Sequence, residues 1–157
     1  MSNEEQNMEM MHKLDDGFRE VRSMIHNYWS RHSSAGIGLN YARLLTTIAE
    51  HGPMKASHLA DKLHITCGAV TGLADKLIES GLLKREKDAK DRRVVMLTLT
   101  ALGKKRSEEI KIKREALMLH LFADMSNEEM SFGLHLFTKL QNNMLKFEEE
   151  LVQDTKR

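Results

Sequence analysis

Residues 56–100 read ASHLADKLHITCGAVTGLADKLIESGLLKREKDAKDRRVVMLTLT. The spacing predicts a short helix over Ala56–Leu63 with Leu59 and Leu63 inward. His64 and Ile65 form a tight turn. Thr66 supplies a hydroxyl cap for a helix over Cys67–Ser80, whose apolar side carries Val70, Leu73, Ala74, Leu77 and Ile78. Gly81 stops that helix at the position after its C-cap. Helix, short turn, helix at this length is the helix-turn-helix pattern. Leu82–Glu86 then reads as a strand. Val94–Thr100 reads as a second, with Val95, Leu97 and Leu99 alternating against Met96, Thr98 and Thr100. The seven residues between them, Lys87 to Arg93, include no apolar side chain larger than that of Ala89. A two-stranded ribbon with a cationic tip behind a helix-turn-helix is a wing.

On the N-terminal side, residues 4–30 read as one long helix. Met8, Met11, Leu14, Phe18, Val21, Ile25 and Tyr28 recur at three- and four-residue steps. Acids crowd its first half, where the helix dipole favours them. A helix of about 40 Å is long for a domain of this size, so part of its apolar face is expected to pack on another subunit. Ser33, Ser34, Gly36 and Gly38 read as a break. Asn40 is the expected N-cap of a helix over Tyr41–Glu50 with Leu44, Leu45 and Ile48 inward, ended by Gly52-Pro53. On the C-terminal side, Thr100 caps a helix over Ala101–Phe122 that should bury Ile110, Leu117, Met118 and Leu121. Ser126 caps a last helix, with Glu129 completing a capping box. That helix runs to about Val152 through Met130, Leu134, Phe137, Leu140, Met144, Phe147 and Leu151.

The charge is sorted along the chain. The 157 residues carry 24 Lys plus Arg and 23 Asp plus Glu, a formal net charge of +1. Residues 84–114 alone hold 12 bases and five acids, a local charge of +7, which leaves −6 on the rest. Sorted charge of this kind points to a polyanionic partner at one place. A single cysteine excludes an internal disulfide framework and a multi-cysteine metal site. No apolar run approaches the roughly 20 residues of a membrane span. The acidic N-terminus is unlike a signal peptide, so the cytosol is the expected compartment and no membrane partner is expected. No phosphate loop, dinucleotide fingerprint or nucleophile elbow is present, so the chain is not read as an enzyme and no cofactor is expected.

Five fragments in order now carry a resemblance: Leu59–Leu63, Thr66–Leu77, Glu79–Arg85, Asp91-Arg92-Arg93 and Leu99–Gly103. Together they resemble the MarR family of bacterial transcriptional regulators, with the motifs spread over residues 39–106 and the order of flanking helices matching as well. The resemblance implies a fold that is mainly α with a small two- to three-stranded β wing: a winged helix-turn-helix, dimeric through terminal helices. It divides the chain into a winged domain over residues 35–107 and a dimerisation region over 1–34 and 108–157. It also implies release of DNA by a small aromatic or amphipathic effector, or by oxidation. The sequence departs from the pattern at His64, where the family usually has Gly, and at Gly72, where many members carry a long polar residue. It departs again at Lys55, where a small hydroxyl N-cap is common.

On this reading the recognition helix offers Thr66, Gly68, Ala69, Thr71, Gly72 and, further along, Lys76 to a major groove. These residues are mostly small. They can touch thymine methyls or let the backbone approach, but they make no bidentate guanine contact. For Thr66 the cap role is favoured, and both roles can hold. The wing supplies Arg85, Lys87, Lys90, Arg92 and Arg93. Arg93 is expected to enter a narrow minor groove, steadied by Asp91, while Lys87, Lys90 and Arg92 meet phosphates. A charge run alone usually means a solvated hairpin, and only the flanking motifs turn the reading toward DNA. Lys104, Lys105 and Arg106 open a helix against its dipole; phosphate contact and plain solvation stay open.

The candidate effector pocket is lined by Tyr28, Trp29, His32, Tyr41 and Leu45, each of which reads more readily as core or interface. Cys67, at the first turn of the recognition helix, is a candidate redox thiol, with a small packing residue as the favoured reading. The eight histidines show no metal-binding spacing. The expected function is a sequence-specific regulator, a repressor that binds a pseudo-palindromic DNA operator as a homodimer. The alternative is a winged-helix protein–protein adaptor, or a ligand-binding dimer without DNA readout.

Overall fold

The structure is a computed structural model that describes residues 2–32 and 38–155. The expected break at Ser33, Ser34 and Gly36, and with it the boundary at 34/35, lies outside the described residues. Helices α1 (Asn3–His32), α2 (Leu39–His51), α3 (Ala56–Leu63) and α4 (Cys67–Glu79) precede strands β1 (Leu83–Lys87) and β2 (Val95–Leu99). Helices α5 (Ala101–Leu121) and α6 (Asn127–Thr155) follow. The chain forms two compact units, Met1–Lys113 and Arg114–Arg157.

The first unit is built around the inner faces of α2, α3 and α4. Leu44, Leu45 and Ile48 of α2 meet Leu59 and Leu63 of α3 and Val70, Ala74 and Leu77 of α4, all buried. The hairpin adds Leu82, Leu83, Leu97 and Leu99, α5 adds Ile110 and α1 adds Trp29. Each large aliphatic side chain closed in this way contributes about 1.5–3 kcal/mol. The core fixes α4 by one face only and leaves the opposite face in solvent.

The turns follow the local chemistry. His64 adopts the left-handed conformation, with φ 53° and ψ 47°. Its N–H donates to the Asp61 carbonyl, and the Ile65 N–H reaches back to Ala60, closing the end of α3. A non-glycine residue pays for this conformation, so the departure at His64 is a real local cost. Gly81, at φ 72°, closes α4 in the same manner, with the Leu82 N–H on the Leu77 carbonyl. Thr66 caps α4 as expected, its Oγ1 accepting from the Ala69 N–H at 3.1 Å. The cap of α2 differs from expectation. Gly38 holds the N-cap position without a side-chain bond, and Asn40 lies inside the first turn. Leu39 is half-buried against the core, and its packing draws the helix start forward.

The hairpin pairs antiparallel from Leu83 with Leu99 to Lys87 with Val95. A third strand is reduced to one residue: Met54 exchanges both backbone hydrogen bonds with Leu97, at 3.3 and 2.9 Å. The alternation puts Leu97 and Leu99 inward as expected, while Val95, at the wing end, is exposed.

Thr100 follows the hairpin. Its hydroxyl donates to the Gly81 carbonyl at 2.6 Å and accepts from the Gly103 N–H at 3.0 Å, capping α5. Gly103 lies so close to the α4–β1 turn that an added Cβ would sit 2.0 Å from the Leu82 carbonyl oxygen. Of the residues expected to be buried on α5, Ile110 is buried and Leu117 and Met118 are half-buried. Leu121 is exposed, because among the described residues nothing covers that end of the helix.

In the second unit, Ser126 and Glu129 form the expected capping box. The Ser126 N–H donates to Glu129 Oε2 at 2.8 Å, and the Glu129 N–H donates to Ser126 Oγ at 3.2 Å. The Ser126 N–H and, at 2.9 Å, the Ser126 hydroxyl both donate to the Glu129 carboxyl and hold it below its ordinary pKa. No described residue of α6 is buried, and Phe132, Leu134, Phe137 and Phe147 lie open.

Two outcomes follow for stability. Gly103→Ala should lower the free energy of unfolding by about 1–3 kcal/mol through overpacking, read as a lower urea midpoint; an unchanged midpoint would contradict the close approach to Leu82. His64→Gly should raise it by roughly 1 kcal/mol by relieving the left-handed backbone, and a drop in thermal midpoint would argue against that geometry.

Candidate nucleic-acid interface

The outer face of α4 is bare. Cys67, Gly68, Ala69, Thr71, Gly72, Asp75 and Lys76 are all exposed. A Cβ at Gly68 or Gly72 would meet nothing within 4 Å, so neither glycine is required by packing inside the chain. The Thr71 hydroxyl donates to the Cys67 carbonyl at 3.0 Å, and the Thr66 hydroxyl is engaged as the cap. Cys67 is an exposed free thiol at the first residue of α4.

The wing tip is organised by carboxylates. The Asp88 N–H donates to the Val94 carbonyl at 2.9 Å, and the Asp91 N–H to Asp88 Oδ2 at 3.3 Å. Asp91 in turn accepts three bonds from Arg93: the backbone N–H at 3.0 Å, Nε at 3.1 Å and a terminal guanidinium nitrogen at 3.1 Å. This bidentate clamp sets the direction of a guanidinium whose side chain is 91% exposed. The bonds from Arg93 hold the Asp91 carboxyl below its ordinary pKa, with a smaller contribution from the charge of Lys55. The sign follows: Asp91 is ionised at neutral pH, and its charge is lost only as pH falls through that depressed value. Lys87, Lys90 and Arg92 are exposed around the clamp.

Arg85 is placed differently. Strand alternation puts it on the inward face of β1 with Leu83, and its guanidinium donates to Asp75 Oδ1 of α4 at 2.5 Å. It therefore bridges wing and recognition helix. Asp75 was not singled out from the sequence. The signal lay in the two-residue step from buried Leu83, which aims Arg85 at the helix beneath. On the other face of β1, Lys84 and Glu86 form an ion pair. Arg106, beside the wing on α5, pairs with Glu109 at 2.8 Å, while Lys104 and Lys105 are exposed.

The five residues proposed for an effector pocket gather in the first unit. Trp29 and Leu45 are buried in the core, Tyr28 and Tyr41 pack partly buried against it, and His32 is exposed. The Tyr28 ring stacks on His32 at 4.7 Å and meets Trp29 edge-on at 6.3 Å. Among the described residues no three His, Cys, Asp or Glu side chains converge as metal ligands. Among them, too, no helix is long and apolar enough to cross a membrane.

Comparison with known proteins addresses the same elements. The family model described as MarR family matches residues 39–95, from α2 to the first residue of β2. The transcriptional repressor MdtR of Bacillus subtilis is 35% identical over 97 residues, which is 62% of this chain and 63% of MdtR. The chain thus covers less than two thirds of that repressor's length. The helix-turn-helix-type transcriptional regulator YsmB, also of Bacillus subtilis, is 31% identical over 100 residues, covering 64% of this chain and 68% of YsmB. Among solved structures, the YusO protein of Bacillus subtilis superposes with a TM-score of 0.61 at 27% identity, over 90% of this chain and 99% of that one. The matched elements are those that carry the bare helix face and the clamped arginine, and on these grounds the chain belongs to the MarR family.

Proposed function

We propose that this protein is a sequence-specific DNA-binding transcriptional regulator, a repressor that grips a pseudo-palindromic operator as a homodimer and is released by a small aromatic or amphipathic effector. The observation that carries the reading is the Asp91–Arg93 clamp. A guanidinium held by both carboxylate oxygens of a neighbouring aspartate is pre-aimed, and it stands on the tip of a ribbon in the same compact unit as an exposed recognition helix. In the complex α4 lies in the major groove, and Arg93 enters the adjacent minor groove, where narrow A·T tracts attract arginine. Lys87, Lys90 and Arg92 contact phosphate and set the register.

The apolar faces of the terminal helices support the dimer. Met8, Met11, Leu14, Phe18 and Val21 on α1 are each more than half exposed, as are Phe137, Leu140, Met144 and Phe147 on α6. Each face by itself is a continuous stripe at helical spacing, and a second copy of the chain closes it. The dimerisation region is accordingly taken as residues 1–34 and 108–157, with the winged domain over 35–107 between them. Two recognition helices then address half-sites about one helical turn apart, roughly 10 bp. An effector seated near Tyr28, Trp29, His32, Tyr41 and Leu45 would favour a head spacing that no longer matches successive grooves.

Three measurements test this. In mobility-shift titrations with the DNA upstream of its own gene, Arg93→Ala should weaken binding about tenfold at fixed salt, an effect in the range of a lost specific contact. Asp91→Asn should weaken it less, because the guanidinium stays charged but is no longer aimed; an unchanged Kd for Arg93→Ala would remove the wing from the interface. Affinity should also fall linearly with salt on a log–log plot, and Lys90→Ala should flatten that slope by about one unit. Light scattering should give twice the 18.0 kDa mass of one chain, with Phe18→Glu shifting the population toward monomer. A wild-type monomer at micromolar concentration would count against the dimer.

A further inference from the structure

We infer that the recognition helix reads its half-site through methyl groups, with Ala69 and Thr71 contacting the C5 methyls of thymine, rather than through base hydrogen bonds. This rests on the DNA-binding reading above. The first two turns of α4 expose Cys67, Gly68, Ala69, Thr71 and Gly72. Gly68 and Gly72 have no side chain, and Ala69 ends in a methyl. The Thr71 hydroxyl donates back to the Cys67 carbonyl at 3.0 Å, so the outward remainder of that side chain is its γ-methyl. The Cys67 thiol is a weak donor and a weak acceptor. Beyond these turns Asp75, which would repel the phosphate backbone, is held by Arg85 at 2.5 Å, and Glu79 lies a further turn away at the end of α4.

What the first two turns of the helix present to a groove is therefore a low, uncharged surface of methyls, with Lys76 exposed one turn further along. The missing side chains at Gly68 and Gly72 let the helix backbone sit deeper than a long-chain helix can. In the major groove the only apolar group on a base edge is the thymine methyl. A methyl-lined helix at close range discriminates thymine from cytosine by contact, and it rejects groups that need a hydrogen-bond partner by leaving them unsatisfied.

The test uses the full chain and duplexes enriched by it from a random-sequence DNA library at fixed salt. The enriched duplex is remade with deoxyuridine in place of thymidine, one position at a time. Uracil keeps every base-pairing edge and loses only the C5 methyl. Replacement at one or two thymines per half-site should weaken binding about three- to fivefold, the range expected for one buried methyl. Thr71→Ser, which keeps the hydroxyl and removes the γ-methyl, should bind the thymine duplex more weakly by the same factor and cease to distinguish uracil at the thymine that faces residue 71. Thr71→Val, which keeps a methyl and removes the hydroxyl, should retain both affinity and discrimination. An enriched sequence that is insensitive to uracil at every position overturns the inference and leaves the DNA-binding reading standing. So does an equal loss for Thr71→Val and Thr71→Ser. Failure to enrich any sequence overturns both together.

Discussion

The hydroxyl of Thr100 is the joint on which the winged unit turns. It donates to the carbonyl of Gly81, at the end of the recognition helix, and accepts from the N–H of Gly103, at the start of α5. The same residue directly follows β2, so one oxygen ties helix, ribbon and following helix together. Gly103 completes the joint by having no Cβ, because the space that atom would need is filled by the Leu82 carbonyl. The ribbon cannot rock on α4 without breaking these bonds or opening that contact. Arg85 adds a second tie farther out, through Asp75. The distance between a wing and a recognition helix must match the offset between adjacent grooves. In this chain it is set by one threonine, one glycine and one ion pair, none of them a DNA-contacting group in the proposed complex.

Much of this could be read from the sequence, and the reason is locality. The caps at Thr66, Thr100 and Ser126 each bond to a backbone N–H three residues on, so a hydroxyl just before an apolar run is a sufficient signal. Strand alternation was legible for the same reason. Where the cap has no side chain, as at Gly38, sequence gave no such signal, and Asn40 was the better-looking but wrong choice. Burial at the end of α5 was also misjudged: Leu121 has the right spacing, but spacing says only which face is apolar, not whether anything covers it. The Arg85–Asp75 pair spans ten residues and two elements, beyond any local pattern. It gives Arg85, read from the sequence only as a residue of the wing, a bracing contact to α4.

The sorted charge takes on a different meaning once the pairs are placed. The +7 of residues 84–114 suggests a broad cationic surface. Lys84 is matched by Glu86, Arg85 by Asp75 and Arg106 by Glu109, so part of that charge is answered locally. Of what projects outward, Lys87, Lys90, Arg92 and Arg93 cluster at the tip around the depressed carboxylate of Asp91, while Lys104, Lys105, Lys111 and Arg114 lie exposed along α5. A compact cluster of cations on a narrow ribbon attracts phosphate over a distance of about one Debye length, roughly 8–10 Å in physiological salt. It does little for the rest of the surface. In the proposed complex, binding that lasts requires the tip and the bare helix face to fit at once.

That requirement bears on the division of labour between wing and helix. Charged contacts to phosphate set affinity but carry little sequence information, whereas contacts to base edges carry information at small individual energies. A helix with long polar side chains can combine both roles; the first two turns of α4 cannot, because their outward residues are cysteine, glycine, alanine and threonine. In the proposed complex their part is shape: a smooth face that tolerates some base edges and excludes others. The clamped arginine supplies what the helix lacks, a charge aimed by geometry. In the proposed complex the two readers are useful only at a fixed separation, and that separation is held by the joint at Thr100 and Gly103.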